Sequence, residues 1–304
     1  MFGSLNPSLS WRLSVVSALL LGLCISLTGS ARGTPSDSSA PVAPTSPPAQ
    51  RRVVSLAPSL TEWVYTLDAH AQLVARSARC DLPPQALKKP SAGGLFPPDL
   101  ELILSFQPSD VLMIEGHEVL KAQLTRLGVR VHTLQPHSVD ELWELVESLG
   151  ALLERGEEAR AWLTAARLRV TEELAQPVLR RPPLKVLIEV WPKPLSVAGA
   201  ESFMGGLVSL AGGVLVPSGL GSWPQLPLET LLGLNPDVIF VSSPQRVREL
   251  LSPDAPRAWR AISAIQNKSV FAREGRLERP GPRVIDEVVW LKRRLDEASR
   301  LKDR

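Results

Sequence analysis

Cysteine is scarce in this sequence, which has two cysteines, Cys24 and Cys80, in 304 residues. Cys24 lies in an apolar leader, so removal of that leader leaves Cys80 without an intramolecular partner. A disulfide framework is therefore excluded. A chain of this length is long enough for one or two compact lobes, each with an apolar core of its own.

Metal-ligand and catalytic patterns are also missing. The four histidines, His70, His117, His132 and His137, have no spacing typical of a zinc or manganese site. The sequence contains no nucleophile elbow, P-loop, zinc-protease helix or dinucleotide fingerprint. A metal-ion receptor and an exported hydrolase are thus alternatives that no motif supports, and we expect the protein not to be an enzyme.

Charge of one sign is not concentrated anywhere. The 34 basic and 31 acidic residues are spread along the chain, and no basic stripe could neutralise a row of phosphates. Nucleic acid is therefore not expected as a partner.

The first 31 residues have the pattern of a secretory signal peptide. Arg12 precedes the apolar run LSVVSALLLGLCISL, which is too short for a comfortable membrane span, and small residues lead to a cleavage point after Ala31. Lipidation at Cys24 and retention as a membrane anchor are alternatives. Residues 32–50 are rich in Pro and Ser and predict an extended tether.

Strands and helices alternate from Arg51 onward. VVSLA predicts a strand, Ser59 and Glu62 predict a capping box at the start of a helix, and the alternation continues through residue 137. Residues 138–176 contain apolar side chains at helical spacing and no proline, which predicts one helix of about 55 Å at 1.5 Å per residue. The alternation of strands and helices then resumes over 177–304. Each of the two alternating segments predicts a parallel sheet.

One phrase occurs twice. LELILSFQPSDVLM at 100–113 and LETLLGLNPDVIFV at 228–241 both read as a helix, a proline and a buried strand. Glu101 and Glu229 fall at the same phase, seven residues before Pro108 and Pro236. We therefore predict an α/β fold of two similar three-layer lobes, 51–137 and 177–304, each with a mostly parallel sheet, joined by one long helix.

This organisation resembles the helical-backbone class of ABC-transporter substrate-binding proteins, in the iron-siderophore and cobalamin family. The resemblance covers residues 51–301. It rests on the order and spacing of the repeated phrase and five further segments: VVSLAPSLTE, CDLPP, VWPKPLSVAG, WPQLPLETLLGLNPDVI and ERPGPRV.

The resemblance implies export to the periplasm and capture of a small molecule between the lobes. It also implies delivery to a two-fold permease and its ATPase, with Glu101 and Glu229 each docking on one half of that permease. No catalytic cofactor is implied, the protein is expected to be a monomer, and membrane association through the N-terminus is an alternative to a free N-terminus. The implied ligand is cobalamin or another metal chelate.

The family's ligand positions carry over to a set of residues around the expected cleft. They are Arg79, Cys80, Asp81, Leu95, Phe96, Ile114, Trp191, Pro194, Leu195, Trp223, Glu278 and Arg279. Trp223 is the strongest candidate, because an aromatic face suits a large, flat, partly apolar corrinoid. Metal ligation by Cys80 or His117 is an alternative that no motif supports.

The sequence departs from the family at two of these positions and at Leu82. Cobalamin-binding relatives often carry aromatics where this chain has Leu95 and Ile114, and Leu82 replaces a tyrosine. The expected pocket is therefore less aromatic. Haem, a ferric siderophore and another corrinoid remain alternatives to cobalamin.

Overall fold

The computed structural model describes residues 51–174, 182–273, 275 and 277–302. The expected signal peptide and tether, 1–31 and 32–50, lie outside these residues. Among the helices of the described part, none is both long and apolar enough to span a membrane.

The first lobe is built on a parallel sheet with the strand order β2-β1-β3-β4. The strands are β1 (Val53–Ser55), β2 (Leu73–Arg76), β3 (Asp110–Met113) and β4 (Arg130–Thr133). The helices are α1 (Pro58–Thr66), α2 (Leu100–Ser105) and α3 (Glu118–Arg126), with a 3-10 turn at Pro84–Lys88. The central strands are buried on both faces, as the apolar runs in the sequence predict.

The second lobe repeats this topology. Its strands are β5 (Lys185–Pro192), β6 (Leu195–Val197), β7 (Val214–Leu215), β8 (Val238–Val241) and β9 (Val270–Ala272). The parallel order β7-β5-β8-β9 matches that of the first lobe, and β6 pairs antiparallel with the far end of β5. The helices are α6 (Phe203–Leu210), α7 (Leu228–Leu234), α8 (Pro244–Leu251), α9 (Ser263–Gln266) and α10 (Val284–Lys302), with a 3-10 turn at Trp259–Ala261.

Each lobe has three layers, because alternate residues of its strands face opposite sides. In the first lobe, Val53 packs with α1 while Val54 packs with α2 and α3. In the second, Phe240 packs with α6 and α10, whereas Ile239 packs with α7, α8 and α9. The predicted α/β fold of two similar three-layer lobes with mostly parallel sheets is confirmed.

The repeated phrase forms the same unit in both lobes. The helix α2 leads into β3, and α7 leads into β8. In both copies the residue before the proline has left-handed backbone, with φ of 48° at Gln107 and 42° at Asn235, and the helix ends two or three residues before the proline.

The prediction of one helix over 138–176 is wrong. Two helices, α4 (Val139–Leu152) and α5 (Gly156–Leu174), are separated by a reversal. Arg155 N–H donates to Gly150 O, and Glu154 N–H donates to Ala151 O with Glu154 in the left-handed region (φ 58°). This is a Schellman motif, which ends α4. Gly150 then lies against Ala159, where a Cβ would be only 2.5 Å from the alanine methyl.

The α4–α5 pair ties the lobes together. The chain turns back so far that the rings of Trp143 and Trp162 are 5.9 Å apart, whereas a straight helix would place them about 28 Å apart. Trp162 also contacts Trp63 of α1. Side chains of both sheets, of α10 and of this helix pair belong to one continuous apolar core. The two lobes are therefore joined through packed side chains as well as through the chain.

Candidate functional site

A cleft of about 570 Å³ lies where the carboxyl ends of both parallel sheets meet. In the first lobe its walls come from the segments that follow β1, β2, β3 and β4. In the second lobe they come from the start of α6, from the loop that holds Trp223, and from 277–280 after β9. This is the position where open parallel sheets bind ligands.

Half of the predicted ligand positions line this cleft. They are Arg79, Leu95, Ile114, Trp223, Glu278 and Arg279. They come from both lobes, so residues up to two hundred positions apart in the sequence face one space. Their contact with a ligand stays a prediction.

Cys80 does not line the cleft, which corrects the expectation for this residue. Its side chain is fully buried in the first lobe, and its Sγ lies 3.0 Å from Thr61 Oγ1 and 3.3 Å from Ser77 Oγ. It behaves as a small buried side chain behind the end of β1.

Trp191 and Leu195 also lie outside the cleft. They belong to the β5–β6 hairpin, where the Trp191 indole N–H donates to the Lys193 carbonyl at 3.1 Å. Trp191 is 62% exposed, and Leu195 packs on the core around Leu231. The expectation for both residues is corrected, because the hairpin directs them to solvent and to the core.

Asp81 and Phe96 lie beside the cleft without lining it. Asp81 accepts a hydrogen bond from Arg279 at 2.7 Å, and this bond lowers the pKa of the Asp81 carboxyl. Phe96 stacks on His117 with 4.3 Å between ring centroids. Burial lowers the pKa of His117, whose Nε2 has no hydrogen-bond partner among the described residues.

An interlobe ion cluster, consisting of Glu62, Asp81, Arg279 and Arg283, lies beside the cleft, and its Arg279 is one of the lining residues. Glu62 is buried and lies 3.0 Å from Arg283 and 3.6 Å from Arg279. The predicted capping box is wrong, because α1 begins at Pro58 without a side-chain cap and Glu62 contacts the other lobe instead. The indole N–H of Trp63 adds a hydrogen bond across the same junction, to Pro280 O at 2.9 Å.

The second-lobe wall has its own charged support. Glu278 pairs with Arg273, a fully buried arginine that also donates to the carbonyl of Glu189 at 3.3 Å. Glu189 in turn accepts from Arg246 through both carboxylate oxygens. The carboxylate of Glu278 is therefore held at the cleft wall by a buried network.

Several lining residues were not predicted from the sequence. Gln135 and His137 directly follow β4, so the rule that strand ends converge could have found them. Phe203 and Met204 begin α6, and nothing in their local sequence distinguishes them from core residues.

The loops after β3 and β4 are tied to each other. Glu115 N–H donates to Gln135 Oε1 at 3.2 Å, and His137 Nε2 lies 3.0 Å from Glu115 Oε1. The described residues contain no group of three His, Cys, Asp or Glu side chains placed to hold a bare metal ion.

This two-lobe architecture with an interlobe cleft is that of a ligand-binding protein. The chain belongs to the periplasmic binding protein family, which matches residues 53–276. It is 28% identical over 242 residues to the vitamin B12-binding protein of Vibrio cholerae serotype O1, with 78% of this chain and 86% of that protein covered.

Solved structures of periplasmic binding proteins are similar to this chain as well. The crystal structure of periplasmic vitamin B12-binding protein BtuF of Vibrio cholerae has a TM-score of 0.67 at 28% identity and covers 82% of this chain and 98% of that one. The periplasmic heme-binding protein HutB of Vibrio cholerae shares the fold, with a TM-score of 0.70 at 21% identity, over 81% of this chain and 98% of that one.

The protein is therefore an ABC-importer substrate-binding protein, as the sequence resemblance predicts. Members of this family are binding proteins. The role implies an extracytoplasmic location, a small-molecule ligand, and a permease with its ATPase as partners.

Proposed function

We propose that the protein captures cobalamin or a related corrinoid in the interlobe cleft, in the periplasm, and delivers it to a permease. The observation that carries this proposal is the position of Trp223 in a cleft that is lined by both apolar and polar side chains. A corrinoid presents a flat, partly apolar face and amides around its edge, which require these two kinds of surface.

The walls supply both kinds of contact. The apolar part consists of Leu95, Ile114, Phe203, Met204, Trp223 and Leu277. The polar part includes Ser59, Gln135, Ser202 and Ser222, whose hydroxyl and amide groups can donate to and accept from amides. The volume of about 570 Å³ falls within the usual range for ligand pockets.

Haem is the second candidate, supported by one observation. Arg79 lines the cleft and has no ion-pair or hydrogen-bond partner among the described residues. A free guanidinium suits the carboxylates of haem, which it can bind through two parallel hydrogen bonds. Similarity to a haem-binding protein agrees with this candidate at the level of fold.

Delivery is proposed to depend on the repeated glutamates. Glu101 and Glu229 are exposed in the first turns of α2 and α7, at equivalent positions of the two lobes. Neither has an ion-pair partner among the residues that the structure describes. Two equivalent carboxylates fit a permease with two equivalent halves, since complementary charges fix orientation and speed association. Tethering through the N-terminus remains part of this proposal.

The test is a titration of the purified protein with cyanocobalamin, cobinamide, haemin and a ferric siderophore by calorimetry. We expect saturable corrinoid binding. Trp223→Ala should weaken it about ten- to a hundredfold, the effect of losing one buried aromatic contact.

Trp191→Ala is the matched control, because Trp191 is 62% exposed and Trp223 58% exposed, and both precede a proline. We expect wild-type affinity from this variant. Equal losses of corrinoid affinity in Trp191→Ala and Trp223→Ala would contradict the assignment of the cleft as the corrinoid site. Binding of haemin or siderophore alone would overturn the corrinoid proposal and leave the transport role.

A further inference from the structure

His137 is held in the cleft wall from several sides. Its backbone N–H donates to Glu141 Oε2 at 2.8 Å, which fixes the residue to the start of α4. Its Nε2 lies 3.0 Å from Glu115 Oε1, and Glu115 is itself tied to Gln135. The side chain is 53% exposed and lines the cleft. The imidazole is therefore oriented before any ligand arrives.

The contact with Glu115 determines which imidazole nitrogen of His137 is available to a bound ligand. A carboxylate only accepts hydrogen bonds, so Nε2 carries the proton and the neutral ring has its lone pair on Nδ1. Nδ1 has no hydrogen-bond partner among the described residues. A ring held by a carboxylate at one nitrogen and open at the other is the usual arrangement of a metal-binding histidine, in which the carboxylate makes the ring a better donor.

We propose that Nδ1 of His137 binds the metal of the captured ligand as an axial ligand. This inference rests on the proposed function and makes it more specific. The ligand class is a planar metal macrocycle with an exchangeable axial position. The lone pair of Nδ1 forms the metal–nitrogen bond, and the water that occupied the axial position leaves. No electron or proton is transferred, so the oxidation state of the metal is unchanged.

This bond would select among ligands that have the same macrocycle. A corrinoid with a bound axial water gains the bond to His137, whereas one with tightly held cyanides does not. A ferric siderophore that fills all coordination positions of its iron gains nothing either. His137 is thus proposed to set specificity by coordination chemistry, in addition to the shape of the cleft.

The test compares diaquacobinamide with dicyanocobinamide, which share a macrocycle and differ in their axial groups. We expect the wild-type protein to bind diaquacobinamide at least about tenfold more tightly. Binding should also shift the visible absorption bands of the corrin, because imidazole replaces water. Haemin is titrated in parallel and is expected to show a His137-dependent change of its Soret band if it binds.

Two variants assign the effect to the residue. His137→Ala should abolish both the band shift and the preference for diaquacobinamide over dicyanocobinamide. The charge difference between the two corrinoids acts equally on wild type and variant, so it cannot imitate this loss. Glu115→Gln should reduce the preference without abolishing it, because an amide orients the ring less well than a carboxylate.

The matched control is His70→Ala. His70 is 52% exposed and lies 3.1 Å from Asp68, so its environment is close to that of His137, but it does not line the cleft. We expect it to retain both the preference and the shift.

The outcomes separate the two proposals. Cobinamides that bind without a shift, or with a shift that survives His137→Ala, would overturn the role of His137 and keep the corrinoid proposal. No binding of any corrinoid, together with a His137-dependent haemin spectrum, would keep the role of His137 and overturn the corrinoid ligand. No binding of any macrocycle would overturn both.

Discussion

Asp110 is a buried carboxylate at the amino end of the central strand of the first lobe. It accepts hydrogen bonds from Arg130, His132 and Ser109, and Arg51 lies 3.1 Å away. Burial alone raises the pKa of Asp110, but these hydrogen bonds and the charge of Arg51 outweigh it and hold the pKa well below the usual range. The charged form is therefore the one that stabilises the fold.

Asp110→Asn should lower the free energy of unfolding at pH 7 by about 3 kcal/mol, because it leaves several cations without their anion. Since the native pKa is depressed, the contribution is present above the unfolded value of about 4 and is lost as the pH falls. The difference in the free energy of unfolding between wild type and variant should be smaller at pH 3 than at pH 7, by about 1 kcal/mol. Urea unfolding followed by tryptophan fluorescence at both pH values measures it.

Asp237→Asn provides the comparison, because Asp237 lies directly before the equivalent strand, one residue before the position that corresponds to Asp110 in the second copy of the repeat. Asp237 is partly exposed, and among the described residues it has one ion pair, with Lys302. We expect a loss of about 1 kcal/mol or less. If Asp110→Asn lowers the free energy of unfolding by the same amount at pH 3 and at pH 7, the charge of Asp110 does not stabilise the fold.

Individual site residues were only partly predictable. Trp191 and Trp223 are both followed by proline and have the same local sequence pattern, yet only Trp223 lines the cleft. The difference arises from the β5–β6 hairpin, in which Trp191 bonds to its own turn. Cys80 likewise turns inward because Ser77 and Thr61 are there to contact it. Side-chain direction depends on such tertiary contacts, which local sequence does not encode.

Among the elements, the loop that carries Trp223 depends on a glycine far from it in the chain. Gly199 N–H donates to Ser222 O at 2.9 Å, and a Cβ on Gly199 would lie 2.0 Å from the carbonyl oxygen of Gly221. The backbone of this loop can therefore pass close to residue 199 only because that residue has no side chain.

Gly199→Ala should displace the loop and weaken corrinoid binding about tenfold, part of the loss expected for Trp223→Ala. Calorimetric titration of the folded variant, checked by circular dichroism, measures this. Gly233→Ala is the control, since Gly233 is exposed in α7 with no atom within 4 Å of a new Cβ. Its affinity should not change. Wild-type affinity for Gly199→Ala would show that the position of Trp223 does not matter.

The elements themselves were mostly predictable, and the main exception has a clear reason. Apolar periodicity continues through 138–176, so the sequence predicts a single helix. The break forms at Glu154, a residue type that seldom adopts left-handed backbone, and it is stabilised by packing of α5 back onto α4. Gly150 and Gly156 flank the break, and they were the only local signal of it.

At the scale of the molecule, the repeated phrase gives both lobes the same strand order and places Glu101 and Glu229 equivalently. Charge reversal at both, Glu101→Lys with Glu229→Lys, should leave ligand affinity unchanged because neither residue lines the cleft. Affinity for the detergent-purified permease should fall at least about tenfold for each reversal, since like charges would then face each other.

The matched control reverses Glu118 and Glu157, which are also exposed first-turn glutamates but have no equivalent partner in the repeat. It should bind the permease normally. If this control loses as much affinity as the double reversal, net charge and not position would be responsible.

The two-lobe architecture was predictable because it follows from a repeat and from alternating strands and helices, both of which are visible in the sequence. The junction between the lobes was not. Glu62 reads as a helix-capping residue, and its contacts with Arg279 and Arg283 join positions more than two hundred residues apart.

That junction makes the cleft sensitive to the medium around it. Arg279 lines the cleft and also contacts Asp81 and Glu62 of the opposite lobe. A ligand that binds more tightly when the lobes are joined is therefore coupled to the ion cluster. The cluster strengthens ligand binding, and the bound ligand strengthens the cluster by the same factor. Dissolved salt weakens partly exposed ion pairs. Even a ligand without net charge should therefore bind less tightly as ionic strength rises, because the salt acts on the walls of the cleft.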